Sequence, residues 1–159
     1  MHTRKSNKEQ QQKEEKTIYG AITVFYKKTK KGLLFLIAEN TKTGNISFIS
    51  GAQEDGDQSP EATARRENIE ELGLRPDQYE LKKIGVRHEF IFDPSKKERA
   101  GQKGSYQVFV SDLTNADFEV SPTAELKSLK WMTEKDVLHS LTFSDVAEVF
   151  KKTVKTIKP

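Results

Sequence analysis

The strongest constraint on this chain is one helix whose start and stop are both written into the sequence, set among segments that read as strands. Ser59 offers a side-chain oxygen to the first turn. Pro60 suits the first helical position, where no backbone N–H is needed, and Gly73 can take the left-handed conformation that ends a helix. The spacing predicts a helix over residues 60–72. Before it, residues 18–26 are rich in β-branched and aromatic side chains. Residues 33–38 (LLFLIA) are apolar enough to be buried on both faces of a sheet. A short third strand is expected over residues 46–49, ending at Gly51.

After Pro76, strands are expected over residues 81–87, 89–92, 106–113 and 129–132. Residues 93–104 form a polar loop. Thr133 with Asp136 resembles a capping box that opens a helix, and Ser144 would cap another. In the latter, Val146, Val149, Phe150 and Ile157 recur at helical spacing. The order predicts an α+β fold with a mixed β-sheet flanked by helices in α/β/α layers. One domain over residues 17–159 is expected, preceded by a polar tail, residues 1–16, too poor in apolar side chains to order itself.

The chain has 159 residues, no cysteine and a formal charge of +3. Without cysteine, a disulfide framework, thiolate zinc sites and cysteine nucleophiles are excluded. No run of about 18 apolar residues is present, so a membrane span is not expected and a cytoplasmic location fits. The excess positive charge lies at the ends, in the lysines and Arg4 of the tail and in Lys151, Lys152, Lys155 and Lys158. The body between is mildly acidic, which argues against a duplex-binding face. Whether the chain is a monomer or a homodimer is left open.

On the expected helix, Glu67, Glu70 and Glu71 fall within an arc of roughly 100°, with Ala62, Ile69 and Leu72 opposite, where they would pack on the sheet. Like charges at this spacing repel by about 0.2–0.5 kcal/mol per pair. A hard divalent cation such as Mg²⁺ or Mn²⁺ would make use of them. Arg66, one turn before Glu70, could orient that carboxylate. A solvated ladder of Arg65, Arg66 and Glu70 is the plainer alternative for the glutamates taken alone.

The stretch GAQEDGDQSPEATARRENIEELGL, residues 51–74, resembles the Nudix hydrolase signature. Gly51, Arg66-Glu67, Glu70-Glu71, Gly73 and Leu74 match its residue types in order. Three departures stand out. Asp57 replaces the first Glu and lies one residue further from Arg66 than usual, Asn68 occupies an apolar position, and Ser50-Gly51-Ala52 loosens the usual glycine pair. Glu125, six residues before Trp131, is similar to the family's distal glutamate.

The resemblance implies metal-dependent hydrolysis of a phosphoanhydride in a nucleoside diphosphate linked to X. The layout is closest to asymmetrical diadenosine tetraphosphate hydrolases and (d)NTP pyrophosphohydrolases. It implies Glu67, Glu70, Glu71 and the Gly51 carbonyl as metal ligands, Glu67 or Glu125 as general base, and Arg66 as orienter. Lys96, Lys97, Arg99, Lys103 and Tyr106 are expected at the substrate, though a plain charged surface loop would account for the basic residues equally. His88 is read as a pocket-wall or hydrogen-bonded structural residue ahead of a catalytic one, and Trp131 and the phenylalanines as core ahead of a base-stacking platform. An RNA 5′-end pyrophosphohydrolase and a non-catalytic nucleotide-binding regulator on the same fold are the alternatives.

Overall fold

The computed structural model describes residues 16–94, 96 and 98–158. The expected tail, apart from Lys16, and Lys97 lie outside the described residues. Seven strands form one sheet: β1 (Thr17–Thr29), β2 (Gly32–Asn40), β3 (Ile46–Ser47), β4 (Ile49–Ala52), β5 (Lys82–Ile91), β6 (Lys103–Asp112) and β7 (Leu126–Thr133). Strand β1 runs parallel to β6 along Thr17 to Tyr26, and every other pairing is antiparallel. The sheet is therefore mixed, as the order of segments implies.

The helices are α1 (Pro60–Leu72), α2 (Glu134–Ser140) and α3 (Ser144–Ile157). On one face of the sheet, Val137 of α2 and Val146, Val149, Phe150 and Val154 of α3 pack with Val24, Phe35 and Val108. On the other face, Leu72 of α1 packs with Phe25, Leu36 and Ile49, and Ala64 with Ala21 and Phe109. Alternation along β1 sends Ile22 and Val24 to one layer and Ala21 and Phe25 to the other. In β2, residues Phe35, Leu36, Ile37 and Ala38 are all buried, as the unbroken apolar run demands.

The bounds of α1 are those the sequence marks. Ser59 accepts from the Ala62 N–H, and Gly73 closes the helix at φ 65° with its N–H on the Ile69 carbonyl. Its buried side differs from the expected one. Ile69 is 49% exposed, while Thr63, Ala64, Asn68, Glu71 and Leu72 are buried. Asn68 fills an apolar position because the polar partners lie opposite: its Nδ2 donates to Tyr79 Oη at 2.9 Å and Thr23 Oγ1 at 3.4 Å. Rotating the helix to bury Ile69 would lose these bonds.

Smaller corrections concern element ends. The expected third strand divides into β3 on β2 and β4 on β1. The two strands expected around His88 are one, β5, with a register shift against β6 between Lys83 and Arg87. His88, a polar residue at a buried position, interrupts the apolar alternation of this strand. Thr133 caps α2 by accepting from the Asp136 N–H at 3.2 Å. Ser144, in contrast, is the first residue of α3 and not its cap, which is Phe143. Among the described residues, no helix is long and apolar enough to cross a membrane.

Candidate active site

Helix α1 presents its carboxylates where β4 ends and the 53–59 loop begins. Arg66 organises them. Its Nε and Nη2 grip Asp57, Nη2 also donates to the Ala52 carbonyl at 2.9 Å, and Nη1 reaches Glu67 at 3.0 Å and Glu70 at 3.2 Å. The expected Arg66–Glu70 contact is present, within a wider hub. Asp57 is further held by the Thr63 hydroxyl and the Glu54 N–H. The Arg66 hydrogen bonds hold the Asp57 carboxyl down at about 2, and those bonds push the Arg66 guanidinium further up.

Glu67 lies against Gly51, so closely that a Cβ added there would run into its carboxylate. Gly20 on the neighbouring strand repeats the device, because a Cβ there would strike the Gly51 carbonyl and the Tyr106 ring. Two glycines thus let the β4 backbone, the Glu67 carboxylate and the Tyr106 ring come together. The need for Gly20 is missed by the sequence reading, since its partners are on other strands.

Burial raises Glu67 to about 7, with the Glu70 and Glu125 charges adding and Arg66 opposing. Burial raises Glu71 to about 8, reinforced by Glu67, Glu125 and Glu70, and opposed by a backbone hydrogen bond from Ser50. Glu71 is 8% exposed, and its Oε2 is buried with no hydrogen-bond partner among the described residues. A desolvated carboxylate with an orphaned oxygen beside two further carboxylates is a donor set that suits a hard divalent cation. Among the described residues, no three acidic or histidine side chains converge on one point. Arg66 Nη1 contacts both Glu67, at 3.0 Å, and Glu70, at 3.2 Å.

Glu125 is brought to this cluster by its loop. Thr123 donates its hydroxyl to the Glu70 carbonyl at 2.7 Å and its N–H to the Glu71 carbonyl at 3.0 Å. From the other side, the Thr41 N–H donates to the Glu125 carbonyl at 3.2 Å. The loop therefore satisfies carbonyls at the end of α1 that have no partner within the helix, and it delivers an exposed carboxylate.

A cavity of about 470 Å³ opens beside the cluster, lined by Ser50, Gly51, Ala52 and Glu71 at one end. Its walls include the basic Lys96 and Arg99, the aromatic Phe90, Phe92 and Tyr106, and His88, Phe143 and Asp145. Such a volume is typical of small-molecule sites. Lys96, Arg99 and Tyr106, expected at the substrate, all line this cavity. Burial raises the Tyr106 phenol to about 12. Lys103 lines a different groove, with Thr17, Tyr19 and Ile91. Trp131 packs in the α1-side core, with Lys27 Nζ 4.4 Å from its ring centre.

The NUDIX domain family model matches residues 16–153. The fold is similar to that of a NUDIX hydrolase from Listeria monocytogenes (TM-score 0.73, 20% identity, 88% of this chain and 94% of that chain). It is also similar to the Ap4A hydrolase of C. elegans (TM-score 0.72, 18% identity, 88% and 97%) and to the E. coli dihydroneopterin triphosphate pyrophosphohydrolase (TM-score 0.73, 17% identity, 87% and 95%). A sequence search of curated proteins gives no match. With its family model spanning the domain and the signature side chains of α1 gathered around Arg66, this chain is a member of the NUDIX hydrolase family.

Proposed function

We propose that this protein is a divalent-metal-dependent pyrophosphohydrolase that cleaves a phosphoanhydride bond in a nucleoside diphosphate linked to X, its substrate a dinucleoside tetraphosphate or a (d)NTP. The observation that carries the reading is the buried Glu71 Oε2, without a hydrogen-bond partner among the described residues, on a cavity whose walls also hold Lys96, Arg99 and Tyr106. Anionic phosphates fit the basic wall, and a cation fits the carboxylate end. The Ap4A and dihydroneopterin triphosphate hydrolases of the same fold lend support to a polyphosphate substrate.

Glu67, Glu70 and Glu71, with the Gly51 carbonyl, would hold Mg²⁺ or Mn²⁺. When bound, such ions neutralise phosphate oxygens and lower the pKa of water. Arg66 fixes Glu67 and Glu70 relative to one another, and Asp57 fixes Arg66. Lys96 and Arg99 draw the polyphosphate into the cavity and hold it. Glu125, exposed and tied to α1 through Thr123, is the carboxylate that takes the proton from the attacking water, with Glu67 as the alternative base.

The test is product analysis after incubation with dinucleoside polyphosphates, NTPs, ADP-ribose and 5′-triphosphate RNA, with and without Mg²⁺. Metal-dependent cleavage within the polyphosphate, reduced more than tenfold in Glu70→Gln, is expected, since losing a metal ligand costs several kcal/mol. No turnover of any substrate with either metal would overturn the reading and leave a nucleotide-binding regulator in its place.

A further inference from the structure

The cavity beside the carboxylates also contains a pair that the hydrolytic machinery does not use. His88, on the inward face of β5, is 7% exposed, and its Nε2 lies 2.7 Å from Asp145 Oδ2 in the first turn of α3. Because a carboxylate accepts, the imidazole donates. The His88 ring is stacked on Phe90 at 4.4 Å and 19°, and Phe90 meets Tyr106 edge-on at 5.0 Å. Tyr106 in turn abuts Gly20, which faces the Gly51 carbonyl. A continuous series of contacts thus leads from the carboxylate cluster through two rings to His88 and Asp145.

Two features make the wall beside this pair suited to a flat heterocycle. Phe143, two residues before Asp145, is 41% exposed and lines the same cavity, which gives that wall an apolar ring. The side chain of Asp145 is half-exposed on the same cavity, with its Oδ2 fixed by a buried donor. A ring to stack on and an oriented carboxylate beside it can read a base by its face and its edge together. An ionised carboxylate offers acceptors and no donor. It complements two adjacent donors, the N1–H and 2-amino group of guanine. Hypoxanthine lacks the amino group, and adenine presents an acceptor at N1.

We propose that His88 and Asp145 form a base-recognition site selecting a 2-amino-6-oxopurine, so that the substrate's nucleoside is guanosine. Asp145 makes the contact, and His88 is a positioning residue that fixes its carboxylate. The inference rests on the cavity being the nucleotide site of the proposed hydrolase, and its test needs no catalysis. Binding of GDP, IDP and ADP is measured by calorimetry in metal-free buffer.

The expected result is GDP binding about tenfold or more tighter than IDP or ADP, because a hydrogen-bonding site rejects analogues that leave it unpaired. Asp145→Asn should abolish that ratio, and His88→Leu should reduce it with Asp145 still in place. A purely structural tie between β5 and α3 would change melting temperature without changing the ratio. Equal affinities for the three nucleotides, a preference for IDP or ADP, or a ratio that survives Asp145→Asn overturns the inference. If Asp145→Asn fails to fold, Asp145→Glu replaces it, with loss of the ratio expected and retention overturning the inference. Hydrolysis of all three triphosphates at one rate, with equal binding, would sink guanine selection and leave the hydrolase reading standing. Selective GDP binding without hydrolysis of any nucleotide would do the reverse.

Discussion

Arg66 donates to both oxygens of Asp57, from Nε to Oδ1 at 3.0 Å and from Nη2 to Oδ2 at 2.8 Å. This pair answers the question raised by the altered signature. The shorter acid sits one residue further from the arginine than the signature has it, and it still reaches the guanidinium with both oxygens. The loop is closed on itself in the same place by the Glu54 N–H on Asp57 and the Gln53 side chain on the Asp57 carbonyl.

Asp57→Asn should therefore destabilise the protein by about 1.5–3 kcal/mol, the range for hydrogen bonds to charged groups, and lower kcat by loosening Arg66. The pH dependence has a definite sign. Since the folded carboxyl titrates at about 2, below its unfolded value, the pair contributes stability above about pH 4 that disappears as the pH falls through 2. Urea unfolding of both proteins across this range should give a constant difference at neutral pH that shrinks on acidification. A pH-independent difference would show that the charge on Asp57 contributes nothing.

Glu71 gives the opposite slope. In the metal-free protein its folded pKa of about 8 lies above the unfolded value, as does that of Glu67 at about 7. The folded state then binds more protons, and the stability contributed is fully present below about pH 4.5 and lost as the pH rises through 8. Mg²⁺ competes with those protons, so its binding near pH 7 should release protons and reverse the loss at high pH. Calorimetry in buffers of different ionisation enthalpy measures the release. Glu71→Gln should diminish it, and an unchanged proton count would remove Glu71 from the ligand set.

The helix and its glutamate register were legible because Ser59, Pro60 and Gly73 are local signals, each acting within one turn. The buried side of that helix was not. Asn68 faces inward because Thr23 and Tyr79 await it, and those partners are set by the tertiary fold. Ile69 is displaced to the surface by the same choice. Glu125 is singled out by its spacing from Trp131, yet what presents it, the two hydrogen bonds from Thr123 to the end of α1, spans more than fifty residues and leaves no pattern. Likewise, the His88–Asp145 pair joins a strand to a helix 57 positions later.

Gly51→Ala tests how closely the backbone and Glu67 must approach. The added methyl group would run into the Glu67 carboxylate, and overpacking of this sort costs about 1–3 kcal/mol. Activity should fall far more than stability, because the displaced group is a proposed ligand. A Gly51→Ala enzyme with near-native kcat would mean that Glu67 can move aside without consequence. Steady-state kinetics beside a thermal melt distinguishes these outcomes.

Charge reversal on the loop after β5 separates the two grooves. Lys96 and Arg99 line the cavity that holds Glu71, with the Arg99 guanidinium 5.8 Å from the Phe92 ring centre, whereas Lys103 lines the groove beside Tyr19. Lys96→Glu and Arg99→Glu should each raise KM for a polyphosphate substrate by about tenfold, the effect of losing one phosphate-facing cation worth roughly 1.4 kcal/mol, with kcat less affected. The increase should shrink at high ionic strength, because salt screens exposed charges. Lys103→Glu should leave KM unchanged. Equal effects at all three positions would point to long-range attraction by the loop's total charge, and a selective effect at Lys103 would relocate the polyphosphate to the other groove.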